Sequence, residues 1–274
     1  MYEEYWQLAT KPFEPTTSEP FRYATAGQQA ALHKLRYAVE SRRGAALLAG
    51  PSGAGKTYLI EILSEQVGDT AGKFVRVVFP LMSSRDFLVY LAEQLGAPPA
   101  DPPQYTVEES LRRLEFTFQE NNRRGQHVVI VVDEAHLLED SGLLETLRLL
   151  LNLQTDGQSA FTLLLLGQTS LLAAMQRNAA LDERLDMKML LQPFQVEETA
   201  AYIQHRLQAA GATREIFAAD ALQTAHQLSG GIPRQLNRLC DLALVVGFAA
   251  RQHTIDAAQL QSVSEELVTI SAAA

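Results

Sequence analysis

The sequence predicts an α/β fold: a parallel five-stranded sheet in an αβα sandwich, followed by a small all-α domain. Two observations lead there. Five apolar runs of strand length, at 45–49, 74–79, 127–132, 161–166 and 187–191, alternate with stretches of helical spacing, which is the signature of a parallel sheet covered on both faces. After Pro193 the strand-like runs stop, and helical spacing alone continues over 197–210, 219–228, 233–249 and 257–267.

Taken in order, residues 1–27 form a segment rich in Pro12, Pro15 and Pro20 and in the aromatics Tyr5, Trp6, Phe13, Phe21 and Tyr23. That apolar load predicts a segment packed down on the core. Ala45-Ala-Leu-Leu-Ala49 is short and uniformly apolar, as a buried strand is, and Tyr58–Gln66 sets Leu59, Ile62 and Leu63 on one helical face. Helical spacing returns near 84–95, 107–121 and 142–154. Between the helical stretches near 84–95 and 107–121, Gly96–Tyr105 carries Pro98, Pro99, Pro102 and Pro103 and reads as a surface loop. The expected domains are 28–192 for the α/β part and 193–268 for the helical part, with a tail at 269–274.

With 274 residues and 47% hydrophobic content the chain is long enough for one large domain and a smaller one, and too evenly mixed to be fibrous or disordered. The single cysteine, Cys240, excludes an intrachain disulfide and a cysteine-based zinc site and is expected to be a buried thiol on a helix. The N-terminus is acidic, without a basic-then-apolar signal region, and no window approaches a membrane span, so a cytoplasmic location is expected. A net charge of −9 and a pI near 5.2 argue against a surface built for nucleic-acid backbones. The arginine pairs 42–43, 112–113 and 123–124 read as solvated helix faces.

The most specific segment is Gly50-Pro-Ser-Gly-Ala-Gly-Lys-Thr57, which fits the phosphate-loop pattern G-x-x-x-x-G-K-[ST] between a strand and a helix. Its glycines let successive backbone N–H groups converge on phosphate oxygens, and the loop feeds a helix N-terminus. Gly50, Pro51, Ser52, Gly53, Ala54, Gly55, Lys56, Thr57 and Tyr58 are therefore the expected nucleotide-binding residues. Lys56 is expected to reach the β- and γ-phosphates, and Thr57 to ligate Mg²⁺.

The second half of the site is His127-Val-Val-Ile-Val-Val-Asp-Glu-Ala-His136, a β-branched run ending in two acids. Beside a phosphate loop this is a Walker B strand. Asp133 is expected to hold the Mg²⁺ coordination shell, and Glu134 to orient and polarise the attacking water. Asp133-Glu-Ala-His136 also spells the box of DEAH helicases, but such an enzyme needs a second sheet, and only helices follow residue 193. His136 reads as a helix-start residue.

These motifs make the chain resemble the P-loop ATPases of the AAA+ superfamily, and within it the general secretion pathway protein A (ExeA/GspA) group, with more distant relatives among TniB/TnsC-type and origin-recognition ATPases. The likeness runs nearly end to end: Tyr5-Trp-Gln-Leu-Ala-Thr-Lys-Pro-Phe13, Phe21-Arg-Tyr23, Ala31–Ala38, Leu166-Gly-Gln168, Glu198–Leu207 and Ser229-Gly-Gly-Ile-Pro-Arg-Gln-Leu-Asn237. The resemblance implies that Gln168 is sensor 1, Arg234 is sensor 2, and Arg184 is the arginine that reaches a neighbouring subunit's site, with Arg177 as its fallback. It further implies ATP and Mg²⁺ held between the α/β domain and the helical lid. No Asn stands at the end of Phe74–Pro80, where many relatives carry a polar switch residue. Members of the group commonly continue into a membrane span and a peptidoglycan-binding region, neither of which follows the lid in this sequence.

The reading that follows is an ATPase that forms an ATP-dependent homo-oligomeric ring or spiral and remodels a partner. The closest resemblance implies assembly of a secretion, pilus or envelope apparatus, with the ATPase acting at the inner membrane through a separate membrane protein. The alternative is a DNA-associated regulator of the transposition or replication-initiation type, which the acidic balance disfavours.

Overall fold

In the computed structural model, residues 1–68, 72–97, 106–139 and 141–272 are described. They fall into two compact units. One comprises residues 28–50 and 56–191; the other comprises 1–27, 51–55 and the chain from 192 onward.

The first unit is built on strands β1 (Ala45–Ala49), β2 (Lys73–Val77) and β3 (Val128–Val132), a small antiparallel pair β4 (Gln154–Thr155) and β5 (Gln158–Ser159), and strands β6 (Phe161–Gly167) and β7 (Leu185–Leu190). Five of these form one parallel sheet in the order β2-β3-β6-β1-β7. β1, β3 and β6 are buried at every position, which is why they read as uninterrupted apolar runs rather than alternating ones. The edge strand β2 instead alternates, with Val75 and Val77 inward.

Helices α1 (Glu3–Trp6), α2 (Ala26–Glu40), α3 (Lys56–Val67), α4 (Ser84–Gln94), α5 (Val107–Arg123), α6 (Leu143–Leu150), α7 (Ser170–Arg177) and α8 (Ala179–Asp182) complete the order up to β7. Ser83 and Thr106 cap α4 and α5 by accepting the amides of Asp86 and Glu109. One core joins Val75, Ile130 and Leu163 of the sheet to Phe87 and Leu91 of α4, Phe118 of α5 and Leu147 of α6.

Three local expectations change. The stretch expected to be helical over 142–154 ends at Leu150, because the chain then turns through Asp156 and Gly157, both at positive φ, to pair β4 with β5. Arg42 lies past α2 at φ +48° and donates to Asn122, so this pair does not decorate a helix face; Arg112 and Arg123 do, each bound to a glutamate on its own helix. The proline-rich residues 98–105 lie outside the described residues.

His127 sits just ahead of β3 and is buried. Thr162 donates its hydroxyl to the Arg43 carbonyl (2.6 Å), so at 2.8 Å from His127 Nε2 the hydroxyl oxygen accepts and the ring is the neutral Nε2–H tautomer. Burial first, and Arg42 second, push its pKa from 6.5 down to about 4. A lowered folded-state pKa gives stability that is whole above pH 6.5 and is lost as pH falls towards 4, to the extent of about 3 kcal/mol for this single group. Urea denaturation from pH 7 down to pH 4.5 should show that loss, and His127→Gln should flatten it; an equal slope in the two proteins would refute the assignment.

The second unit holds α9 (Val196–Ala209), α10 (Ala219–Ser229), α11 (Pro233–Ala249) and α12 (Ala257–Ala272), with the N-terminal segment laid among them. That segment, expected on the core of the chain, thus packs within the helical unit. Trp6 is fully buried, donates its indole N–H to the Leu244 carbonyl (2.9 Å), and lies under the Arg214 guanidinium. Arg206 of α9, also buried, donates to the carbonyls of Pro12 and Glu14 and stands over the ring of Phe21. Two long-range pins therefore hold residues that a proline-rich segment could not hold by itself.

Trp6→Ala should cost about 3–5 kcal/mol, the sum of lost contacts and the cavity left behind. Circular dichroism during chemical denaturation measures it, and a loss below about 1 kcal/mol would mean that the segment is not part of the unit's core. Cys240 is buried on α11 and burial pushes its thiol pKa up, so the thiol serves packing. Among the described residues, no helix is long and apolar enough to cross a membrane.

Candidate functional site

The phosphate loop leaves the C-terminal end of β1, which lies between β6 and β7, and there Gly50 donates its N–H to the Gly167 carbonyl (3.2 Å). An added Cβ at Gly50 would meet Leu191 at 3.0 Å, so the small residue lets the chain pass between its neighbours. Gly53 has φ +81°, a conformation that an L side chain rarely adopts, and an added Cβ would meet Arg234 Cβ at 2.8 Å. Both the turn and the neighbour therefore require glycine here.

Lys56 opens α3, is buried, and donates Nζ to the Gly50 carbonyl at 2.9 Å, which curls the side chain back over the loop. A backbone carbonyl is a weak partner for a buried ammonium, and phosphate oxygens offer a stronger one. Thr57 follows and donates Oγ1–H to Asp133 Oδ2 at 2.8 Å; Tyr58, half-buried, continues the helix.

Asp133 stands just past β3, its amide bonded to the Val77 carbonyl of β2 (2.9 Å), which fixes it at the loop end of the sheet. Its carboxylate is buried and takes three donors: the Glu134 amide on Oδ1 (3.0 Å), and the Thr57 hydroxyl and Arg76 guanidinium on Oδ2 (2.8 and 2.9 Å). Arg76 is the residue that sequence reasoning passed over. It is the mid-strand charge of Lys73-Phe-Val-Arg-Val77, and strand alternation puts position 76 on the face opposite the buried Val75 and Val77 without showing what it meets there.

Glu134 adopts φ +52°, ψ +35°, a left-handed conformation that costs an ordinary residue roughly 1–2 kcal/mol. Its Oε2 is shielded from solvent and has no hydrogen-bond donor. The neighbouring His136 Nδ1 lies 3.3 Å from that oxygen and 3.5 Å from the Gln168 amide nitrogen. The left-handed turn just past the strand end leaves the Glu134 side chain partly open to solvent, where a carboxylate can accept a proton from water. His136 is a helix-start residue as expected, the helix being the short 3-10 helix Ala135–Leu138.

Gln168 follows β6 directly, next to β3 in the sheet, and its side chain is exposed. Arg184 lies between α8 and β7; among the described residues its guanidinium has no hydrogen-bond or ion-pair partner. Arg177, by contrast, is bound to Glu139 through both Nε and a terminal nitrogen.

Within the second unit, Gly230 ends α10 in the left-handed conformation and Gly231 follows so close to Phe194 that an added Cβ would lie 2.2 Å from its carbonyl oxygen. Pro233 then starts α11 at its first position. Arg234, next along, donates its backbone N–H to the Gly53 carbonyl (3.3 Å) and leaves its side chain exposed.

The donor set suits Mg²⁺. Thr57 and Asp133 offer hard oxygens 2.8 Å apart at a helix N-terminus, the ligand type that Mg²⁺ takes.

Comparison with known proteins agrees with this geometry. A family described as "AAA domain" matches residues 39–175, half of the chain. General secretion pathway protein A of Aeromonas hydrophila is 34% identical over 262 residues, which span 93% of this chain but 46% of that protein, so the chain covers less than half of its relative. Among solved structures, Cdc6p of Pyrobaculum aerophilum superposes with a TM-score of 0.75 at 19% identity, covering 93% of this chain and 70% of that one. The ORC2 protein of Aeropyrum pernix, solved in ADPNP–ADP complexes, gives 0.69 at 16% identity over 93% and 71%. The RuvB Holliday junction branch migration motor of Thermotoga maritima gives 0.61 at 18% identity over 93% and 73%. These likenesses share the five-stranded parallel sheet with its helical C-terminal part. On the family match and the phosphate-loop and Walker B geometry together, the chain belongs to the AAA domain family and is an ATPase.

Proposed function

We propose that the chain binds ATP with Mg²⁺, hydrolyses it within a ring or spiral of identical copies, and uses the cycle to remodel a protein partner in the assembly of an envelope or secretion apparatus. The observation that carries the biological part is the 34% identity to general secretion pathway protein A across 93% of this chain.

The residues divide the work. Loop amides of Gly50–Thr57 cradle phosphate oxygens, and Lys56 exchanges the Gly50 carbonyl for the β- and γ-phosphates. Thr57 and Asp133 hold the Mg²⁺, which when bound neutralises charge that develops on the phosphates. Glu134 orients the attacking water and draws its proton; Gln168 contacts the γ-phosphate or that water. Arg234 adds positive charge from the start of α11, and Arg184, free of local partners, serves the neighbouring copy's γ-phosphate. The partner is a membrane protein, which places this ATPase at the inner face of a membrane.

The test is the mass of Glu134→Gln protein with Mg·ATP, with and without duplex DNA, at low and physiological salt. Closed rings that ignore DNA support the envelope reading. DNA-dependent filaments with a steep salt dependence would overturn it in favour of a transposition or replication regulator.

A further inference from the structure

The mid-strand arginine of β2 has a place in the site that neither the sequence motifs nor the family assignment gives it. β2 and β3 pair Arg76 with Val131, and Asp133 lies two residues beyond Val131. Strand alternation therefore puts Arg76 and Asp133 on one face, diagonal to each other. The first turns of α3 cover that face with Thr57 and Glu61, one helical turn apart. Four groups close a square: Thr57 donates to Asp133 (2.8 Å), Arg76 holds Asp133 (2.9 Å), and the other arm of Arg76 reaches Glu61 (3.4 Å).

The two carboxylates differ. Asp133 has a side chain only 8% exposed, whereas that of Glu61 is 47% exposed. Arg76 lies on the buried one with the shorter bond, while its buried Nε has no partner, so the guanidinium is placed for Asp133 at the expense of its own hydrogen bonding. A cation on the oxygen that also receives Thr57 cancels the charge that would draw a divalent ion there, and Glu61 gives the same guanidinium an alternative partner near the water.

We propose that Arg76 is a positioning residue that neutralises Asp133 when no metal is bound, and that its division between Asp133 and Glu61 sets the Mg²⁺ concentration needed for tight nucleotide binding. The inference rests on the Mg²⁺-nucleotide reading above. It gives the two neighbours opposite signs. Removing the cation lowers the Mg²⁺ requirement. Removing the alternative partner raises it, because Arg76 then has Asp133 alone.

The experiment is calorimetric titration of the full chain with ADP, which is not hydrolysed, across a series of MgCl₂ concentrations at constant ionic strength. In Arg76→Met the Mg²⁺ concentration giving half of the affinity gain should fall by about tenfold, the scale expected for deleting one unit charge next to a divalent ion in a partly hydrated site. Arg76→Lys, which keeps the charge, should stay near the wild-type value. Glu61→Gln, on an exposed helix face and tolerable to the fold, should raise it severalfold, and that increase should vanish when combined with Arg76→Met. Wild-type ADP binding that is indifferent to Mg²⁺ would overturn the Mg²⁺ reading and this inference with it. Mg²⁺-dependent wild-type binding with an unchanged or raised requirement in Arg76→Met would overturn the role of Arg76 alone. An unchanged requirement in Glu61→Gln would overturn the sharing between the two carboxylates.

Discussion

Glu134→Gln should reduce ATP turnover by about 10²–10⁴-fold while leaving nucleotide affinity within a few fold of wild type. The amide keeps the shape of the side chain, so the left-handed turn at φ +52° and the Asp133 bond to the 134 amide are retained. What is lost is the basicity of the carboxylate. A glutamate there binds water as an acceptor and takes its proton; a glutamine does only the first. Steady-state phosphate release alongside equilibrium ADP binding separates the two, and a variant that hydrolyses within tenfold of wild type would show that Glu134 is not the base. Removal of Lys56 should act in the opposite sense, on affinity first, because that side chain touches the loop and not the water.

Arg184→Ala should lower turnover by about 10³-fold or more, the effect usual for an arginine supplied across a subunit boundary. Arg177→Ala should have a far smaller effect, since Arg177 is bound to Glu139 and its loss frees only an exposed pair. Mixing decides whether Arg184 acts in trans. Arg184→Ala protein keeps its own Glu134, and Glu134→Gln protein keeps its own Arg184, so a mixed assembly contains interfaces where an intact base meets an intact arginine. Equimolar mixing of the two inactive variants should therefore restore a sizeable fraction of wild-type turnover. No restoration, together with wild-type turnover per subunit that is unaffected by dilution to monomers, would show that Arg184 does not act in trans.

How much of this the sequence conveys depends on what kind of force shapes each part. The core strands β1, β3 and β6 and the helices α4, α5, α9, α10 and α11 are legible because burial on both faces or on one stripe leaves a period in the residues themselves. The loop and Walker B residues are legible because phosphate chemistry requires those residue types at those intervals. The N-terminal segment is different: its aromatics announce burial but not where, and the partner was fixed by tertiary pins, Arg206 to the Pro12 carbonyl and Trp6 to the Leu244 carbonyl, separated by 194 and 238 residues along the chain. The β4–β5 pair was missed although Asp156-Gly157 is a strong turn signal, because strands of two residues have no period to read. Arg76 was missed for a related reason. A single charge in an edge strand looks like solvent exposure until the register with β3 shows that it faces Asp133. The resemblance already ranks Arg184 ahead of Arg177, and the structure adds that Arg177 is bound to Glu139.

Trp6 has one more consequence. It is the chain's sole tryptophan, and the residues around it, Tyr5, Phe248 and Arg214, all belong to the same helical unit. Light absorbed at the red edge, where tyrosine is transparent, is therefore emitted from that unit alone, and the sheet-bearing unit with its Walker B carboxylates is optically silent. Emission gives the state of the helices, far-ultraviolet ellipticity gives both units together, and the interval between the two signals during denaturation measures whether the halves of this molecule open as one or in turn, without any label attached.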